Sequence, residues 1–221
     1  HDDKSILVGN VDMCYVDNAG DKDLLDTIGD METNSMANIW NSYKDILVFA
    51  THIMTGLDFL HRENICHLDI KPENIMVNCK PGWRTRNRNC VPQFRIIDFG
   101  FASLYPFNNF IKNIRGTPGY LPKVFEFEKP CPWLPKIKAN DMEVIDGLIP
   151  LMNNRQLVYK IDSYCLGRVL YFLRYIYREH NTTICFSFER QTKTTLDYLI
   201  RNLTENNVYN RYTIRECLND L

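Results

Sequence analysis

From Asp45 to His61 the apolar residues Ile46, Phe49, Ile53, Leu57 and Leu60 recur at steps of three and four, the period of a helix with one buried face. From Asp162 the stretch DSYCLGRVLYFLRYIY is apolar nearly all round, which predicts a helix buried at the centre of a domain. Further on, TLDYLIRNLT and TIRECLNDL also keep helical spacing. Strands are expected elsewhere. SILVGNVDMCYV, residues 5–16, has short runs of Ile, Val and Tyr, the preference of one or two strands. The polar DNAGDKD after it reads as a turn, with Asp23 as N-cap of a helix over LLDTIGDM. NIMV and FRIID look like two more short strands. A few strands followed by helices, with no repeat or low-complexity linker, predict one α+β, mainly α domain.

Composition narrows the class without naming a chemistry. At 45% hydrophobic and 24% charged, the chain is ordinary globular material, neither disordered nor fibrous. Its 26 basic and 27 acidic side chains leave a net charge of -1, so no whole-chain attraction to nucleic acid or to an anionic membrane is expected. Nothing resembles a signal peptide or a membrane span. The eight cysteines are scattered, without a CxxC pair, which predicts reduced, cytosolic-type thiols and no zinc. The basic residues of the connector between NIMV and FRIID, Lys80, Arg84, Arg86 and Arg88, are expected on a solvated loop. Because translation begins with methionine, the first residue, His1, suggests that something upstream is missing.

Chemistry concentrates in HLDIKPENIMV, His67 to Val77. Asp69, Lys71 and Asn74 place a carboxylate, an ammonium and an amide in one loop. A carboxylate accepts a proton from a hydroxyl, an ammonium neutralises phosphate charge, and an amide oxygen ligates a hard cation. Phosphoryl transfer needs those three groups. IIDFG supplies a second hard ligand, Asp98, directly after an apolar strand, with Gly100 expected to permit a sharp turn.

On these residues the chain resembles the C-terminal (large) lobe of a eukaryotic-type serine/threonine protein kinase, joined to hinge strands. His67, Asp69, Lys71, Pro72 and Asn74 match at five fixed positions, each met by chance about one time in twenty. Further matches follow in order: Asp98-Phe99-Gly100, GTPGYLP at residues 116–122, KIDSYCLG, and NVYNRYTIRECL. The resemblance implies a partial kinase domain over residues 1–221. Residues 1–16 would be the end of the small lobe and the hinge, and residues 17–221 the large lobe, with insertions near 79–93 and 124–155.

The resemblance also implies roles. Asp69 would take or orient the substrate hydroxyl, Lys71 would stabilise the transferring phosphoryl group, and Asn74 and Asp98 would hold Mg2+. Thr117 would complete the catalytic set and, with Lys71, point to serine or threonine acceptors. ATP would meet Met13 in the gatekeeper place, main chain at Cys14 and Val16, Met76 beneath the base, Asp23 at the ribose, and Glu73. Asp162 would brace the catalytic loop from below, while His67 would be a buried structural hydrogen-bonder. Implied partners are ATP and a protein substrate, in the cytoplasm, or in a host's cytoplasm if the Asn- and Ile-rich composition reflects a large DNA virus.

Three departures stand out. The family's glycine-rich loop, strand lysine and paired helix glutamate have no counterpart before residue 5, so a small lobe missing from the record, or a partner kinase, would complete the site. Leu68 stands where most such kinases carry arginine, which puts switching by phosphorylation at Ser103 or Tyr105 in doubt. Lys123 replaces a glutamate that would meet Arg211, and two cations there would repel; Glu126 or Glu128 could serve instead. The alternative to an enzyme is a truncated kinase-like inhibitor or a pseudokinase binding module docking on another kinase.

Overall fold

A computed structural model of the 221-residue chain describes residues 22–33, 40, 42–78, 93–105, 116–122, 154–180 and 187–221. The strands expected at 5–16, the connector at 79–92 and most of the region near 124–155 lie outside the described residues, as do Lys123, Glu126 and Glu128.

The chain enters through β1 (Lys22–Asp23) and α1 (Leu24–Thr33). Asp23 caps α1 as expected, its Oδ1 accepting from the Asp26 amide at 2.7 Å. A long helix, α2 (Tyr43–Arg62), starts behind the N-cap Ser42, two residues earlier than the apolar period alone predicts, because Ser42 accepts from the Asp45 amide through both its carbonyl at 3.1 Å and its Oγ at 3.3 Å. Its inward face is Ile46, Phe49, Ala50, Ile53, Met54 and Leu57.

Strand β2 (Ile65–Cys66) leads into the loop of interest and a 3-10 turn, Pro72–Asn74. Then come β3 (Ile75–Asn78), β4 (Gln93–Ile96) and β5 (Ser103–Leu104). Two small antiparallel sheets result, β1-β3-β4 and β2-β5. The register sets Asp23 opposite Met76, Ile75 opposite Ile96 and Cys66 opposite Ser103. Phe94 of β4 stacks on Trp40 with ring centroids 5.8 Å apart and meets Phe49 of α2 edge-on, which fastens the larger sheet to the helical layer.

The remaining helices are α3 (Arg155–His180), α4 (Ser187–Leu203) and α5 (Ile214–Asn219). Two expectations need correcting for α3. It begins at Arg155, seven residues before Asp162, so Asp162 lies in its third turn and not at its start. It is buried on every side only from Leu157 to Gly167; beyond that Tyr171, Tyr175 and Arg178 face solvent. The first half carries Lys160 and Asp162 into the interior, polar residues tolerated there only because hydrogen bonds satisfy them. At Gly167 the backbones of α3 and α4 nearly touch: an added Cβ would lie 2.8 Å from Leu203 Cβ and 2.7 Å from Thr204 Cγ2. Thr213 and Glu216 close a capping box at the start of α5. No described helix is long and apolar enough to cross a membrane.

Candidate active site

The catalytic loop hangs on one buried carboxylate. Asp162 accepts from the His67 amide at 2.9 Å through Oδ2 and from the Leu68 amide at 2.7 Å through Oδ1. His61 Nε2 lies 2.9 Å from Oδ2, and the Cys66 thiol donates to the same oxygen at 3.3 Å. Burial would raise the Asp162 pKa, but the His61 contact and the amide donors outweigh it and hold it below 3.8. The bracing role expected of Asp162 is thus visible in the geometry.

His61 and Cys66 were not singled out in the sequence, although one signal was present. His61 continues the row Ile53–Leu57–His61 at four-residue steps, so it points inward with its neighbours. Burial and the Asp162 charge push the Cys66 thiol well up, and burial does the same first for Cys165. Cys66, Cys165 and Cys217 are free and buried, as small inert core residues are.

His67 is fully buried. Its Nδ1 accepts from the Asp69 amide at 3.3 Å, so Nε2 must carry the proton and donate to the Ile97 carbonyl at 3.0 Å. It joins the catalytic loop to the strand leading to Asp98. Leu68 adopts a left-handed backbone, φ 68°, with a buried side chain. That conformation costs a branched residue about 1–2 kcal/mol, offset by its amide's bond to Asp162. A side chain packed in the core is not placed to receive a phosphate, as arginine would be.

Four predicted residues converge. Asp69, nearly buried, accepts through Oδ1 from the Thr117 hydroxyl at 2.8 Å and through Oδ2 from Asn74 Nδ2 at 2.9 Å. The Lys71 ammonium donates to Thr117 Oγ1 at 2.9 Å and sits 3.2 Å from Asp69 Oδ2. Asn74 Nδ2 also donates to the Asp69 carbonyl at 2.8 Å. Both amide donations therefore turn toward Asp69, which leaves Asn74 Oδ1 as the acceptor end of that side chain.

Thr117 reaches this cluster because Gly116 lets two segments come close. Gly116 has φ 148°, and a Cβ there would lie 2.7 Å from Leu121 Cδ2 and 2.9 Å from the Leu68 carbonyl. No other residue fits without displacement.

Asp98 is exposed at the edge of this cluster, one residue past Ile97, whose amide donates to the Asn74 carbonyl at 3.0 Å. The sharp turn belongs to Asp98 itself, with φ 60°, and not to Gly100 as the sequence suggests. Asp98 Oδ1 accepts from the Gly100 amide at 3.0 Å, an Asx-type bond that lets aspartate hold this conformation. Gly100 matters by being small: a Cβ there would meet the same oxygen at 3.0 Å. Asn74 Oδ1 and the Asp98 carboxylate are hard oxygen donors on adjoining segments, a set that fits a magnesium ion in chemistry.

The predicted nucleotide contacts are only partly described. Met13, Cys14 and Val16 lie outside the described residues. Asp23 and Met76 face each other across β1 and β3, and Met76 is half-buried. Glu73 sits in the 3-10 turn, and its buried Oε2 has no hydrogen-bond partner among the described residues. Arg211 is buried, while Lys123, Glu126 and Glu128, expected near it, lie outside the described residues. Its guanidinium donates to the carbonyls of Glu205 at 2.8 Å, Lys160 at 3.0 Å and Asn206 at 3.3 Å, and lies 4.8 Å above the Tyr164 ring. Among the described residues carbonyl oxygens and an aromatic face meet the guanidinium, and burial lowers its pKa to about 10.

A protein kinase domain family model matches residues 16–126, half of the chain. Among curated proteins, the serine/threonine-protein kinase dkf-2 of Caenorhabditis briggsae is 39% identical over 72 residues, which is 33% of this chain and 5% of that protein. Serine/threonine-protein kinase dkf-1 of Caenorhabditis elegans is 40% identical over 70 residues, covering 32% and 9%. Myosin light chain kinase 3 of Rattus norvegicus is 38% identical over 85 residues, covering 38% and 10%. The matched stretch thus spans no more than a tenth of the length of these relatives.

Proposed function

The chain belongs to the protein kinase family, and from that premise we propose that it carries the catalytic large lobe of a serine/threonine protein kinase, moving the γ-phosphoryl group of ATP to a protein hydroxyl. The observation that carries this reading is the closed contact set of Asp69, Lys71, Asn74 and Thr117. Those side chains come from segments up to 48 residues apart.

Asp69 is fixed at both oxygens by donors, so its carboxylate is preorganised to orient an acceptor hydroxyl and take its proton. Lys71 holds a positive charge one hydrogen bond from that carboxylate, where negative charge would gather on a transferring phosphoryl group. Thr117 ties the two together and carries the substrate-facing segment into place. Asn74 and Asp98 would hold Mg2+, with Met76, Asp23 and Glu73 toward the nucleotide. Bound Mg-ATP supplies the phosphoryl group and neutralises its charge. The buried free thiols fit work in a reducing cytoplasm.

The test is a phosphotransfer assay of the full-length protein that contains this lobe, on serine/threonine peptide libraries, beside its Asp69→Asn variant. Mg-ATP-dependent transfer lost in the variant supports the reading. No transfer and no Mg-ATP binding by the wild type would overturn it in favour of a kinase-like module docking on another kinase.

A further inference from the structure

Away from the catalytic loop, a cavity of about 630 Å³ lies where the C-terminal end of α2 meets the N-terminal turns of α3 and the start of α5. Its described lining holds no aliphatic side chain, unlike most small-molecule pockets. Four cations line it, Arg62, Arg155, Lys160 and Arg215, against two carboxylates, Asp58 and Glu216.

The two carboxylates are already engaged. Asp58 accepts from Arg62 and, at 3.0 Å, from Arg215, so one acid supports two guanidiniums, each with further N–H groups directed elsewhere. Glu216 Oε2 accepts from the Thr213 amide at 2.7 Å and the Thr213 hydroxyl at 2.8 Å. Arg155 donates to Asn64 Oδ1 at 3.0 Å, a neutral partner. Lys160 is only 8% exposed, and its ammonium donates to the Tyr209 carbonyl at 3.1 Å. Burial lowers its pKa, with the Arg211 charge adding to the effect against Glu216. Glu216, the nearby carboxylate, is engaged by Thr213, and an ammonium has three donors, so Lys160 has N–H groups to offer an anion in the cavity.

We propose that this cavity binds a small, multiply charged oxyanion of the phosphate class, held by Lys160 at its floor and by Arg155, Arg62 and Arg215 at its rim. Asp58 acts as the support that fixes two of the guanidiniums, and the excess of cations over carboxylates in the lining favours an anion. The site is separate from the catalytic cluster, and its occupancy does not depend on phosphotransfer.

Isothermal titration of the full chain with inorganic tripolyphosphate, in EDTA-containing buffer of low ionic strength, tests this. One saturable site per chain is expected, weakened at least tenfold in Lys160→Met and in Arg155→Gln, and unchanged in Lys71→Met. Inorganic phosphate, which reaches fewer of the cations, should bind at least tenfold more weakly than tripolyphosphate. Circular dichroism checks folding; if Lys160→Met does not fold, the exposed Arg155→Gln decides. No saturable binding, binding indifferent to Lys160 and Arg155, or binding abolished by Lys71→Met would overturn the proposal.

Discussion

The hydroxyl of Thr117 donates to the Asp69 carboxylate at 2.8 Å across 48 residues of chain. Because the Lys71 ammonium donates to the same hydroxyl, its removal takes a hydrogen-bond partner from both the base and the cation and leaves only their direct 3.2 Å contact. On the kinase reading, Thr117→Ala should lower kcat by about tenfold to hundredfold through lost positioning, with little change in KM for ATP. Thr117→Ser keeps the oxygen and should recover most of the rate. Equal kcat for wild type and Thr117→Ala would remove Thr117 from the site.

Asp162 carries the loop. Replacing it with alanine leaves the His67 and Leu68 amides and the His61 ring without their acceptor, in a buried place. A loss of about 3–5 kcal/mol is expected, since each buried donor left without its acceptor costs about 1–3 kcal/mol. Asp162→Asn, which retains one oxygen, should lose less. Urea unfolding with an unchanged m-value checks both.

Gly116→Ala should cost about 1–3 kcal/mol, as overpacking does, because the new methyl meets Leu121 and the Leu68 carbonyl. Activity should fall further than stability, since Thr117 moves with its neighbour. Thermal unfolding and the phosphotransfer assay, read on the same preparation, separate the two effects.

Acid should weaken the fold through two carboxylates. Burial would raise the Asp58 pKa, but the Arg215 and Arg62 guanidiniums bring it below 3.8, and Asp162 is likewise lowered. A depressed carboxylate contributes stability that is complete above its unfolded value and is lost as pH falls through its folded value. Stability should therefore hold down to about pH 4 and decline below it. Asp58→Asn should be less stable than wild type near neutrality, by on the order of 1 kcal/mol because both arginines remain largely solvated. That difference should vanish below the folded pKa. A deficit that persisted at pH 2 would mean that packing, not charge, is what Asp58 provides.

Much of this was legible in the sequence where the information is local. The period of Ile46 to Leu60 placed α2, Asp23 announced the cap of α1, and HLDIKPEN with IIDFG marked Asp69, Lys71, Asn74 and Asp98 as one chemistry. Helix α3 was misjudged at its start, because residues 155–161 read as polar-edged sequence and 157–161 become interior only when α2 packs against α3. The left-handed turn went to Gly100 because glycine adopts it at no cost; Asp98 takes it because its own carboxylate accepts the Gly100 amide.

What the sequence determined by itself was periodicity, caps and the residue types a loop can offer, since each is set within a few positions of the chain. Tertiary structure alone decided partnership: that Asp162 of α3 holds the amides of His67 and Leu68, that carbonyl oxygens and Tyr164 surround Arg211, and that Thr117 closes on Asp69. The Thr117–Asp69 and Asp162–His67 bonds join segments 48 and 95 residues apart, and a hydrogen bond at that separation leaves no period or spacing behind, because only the packing of the elements between brings its two ends together.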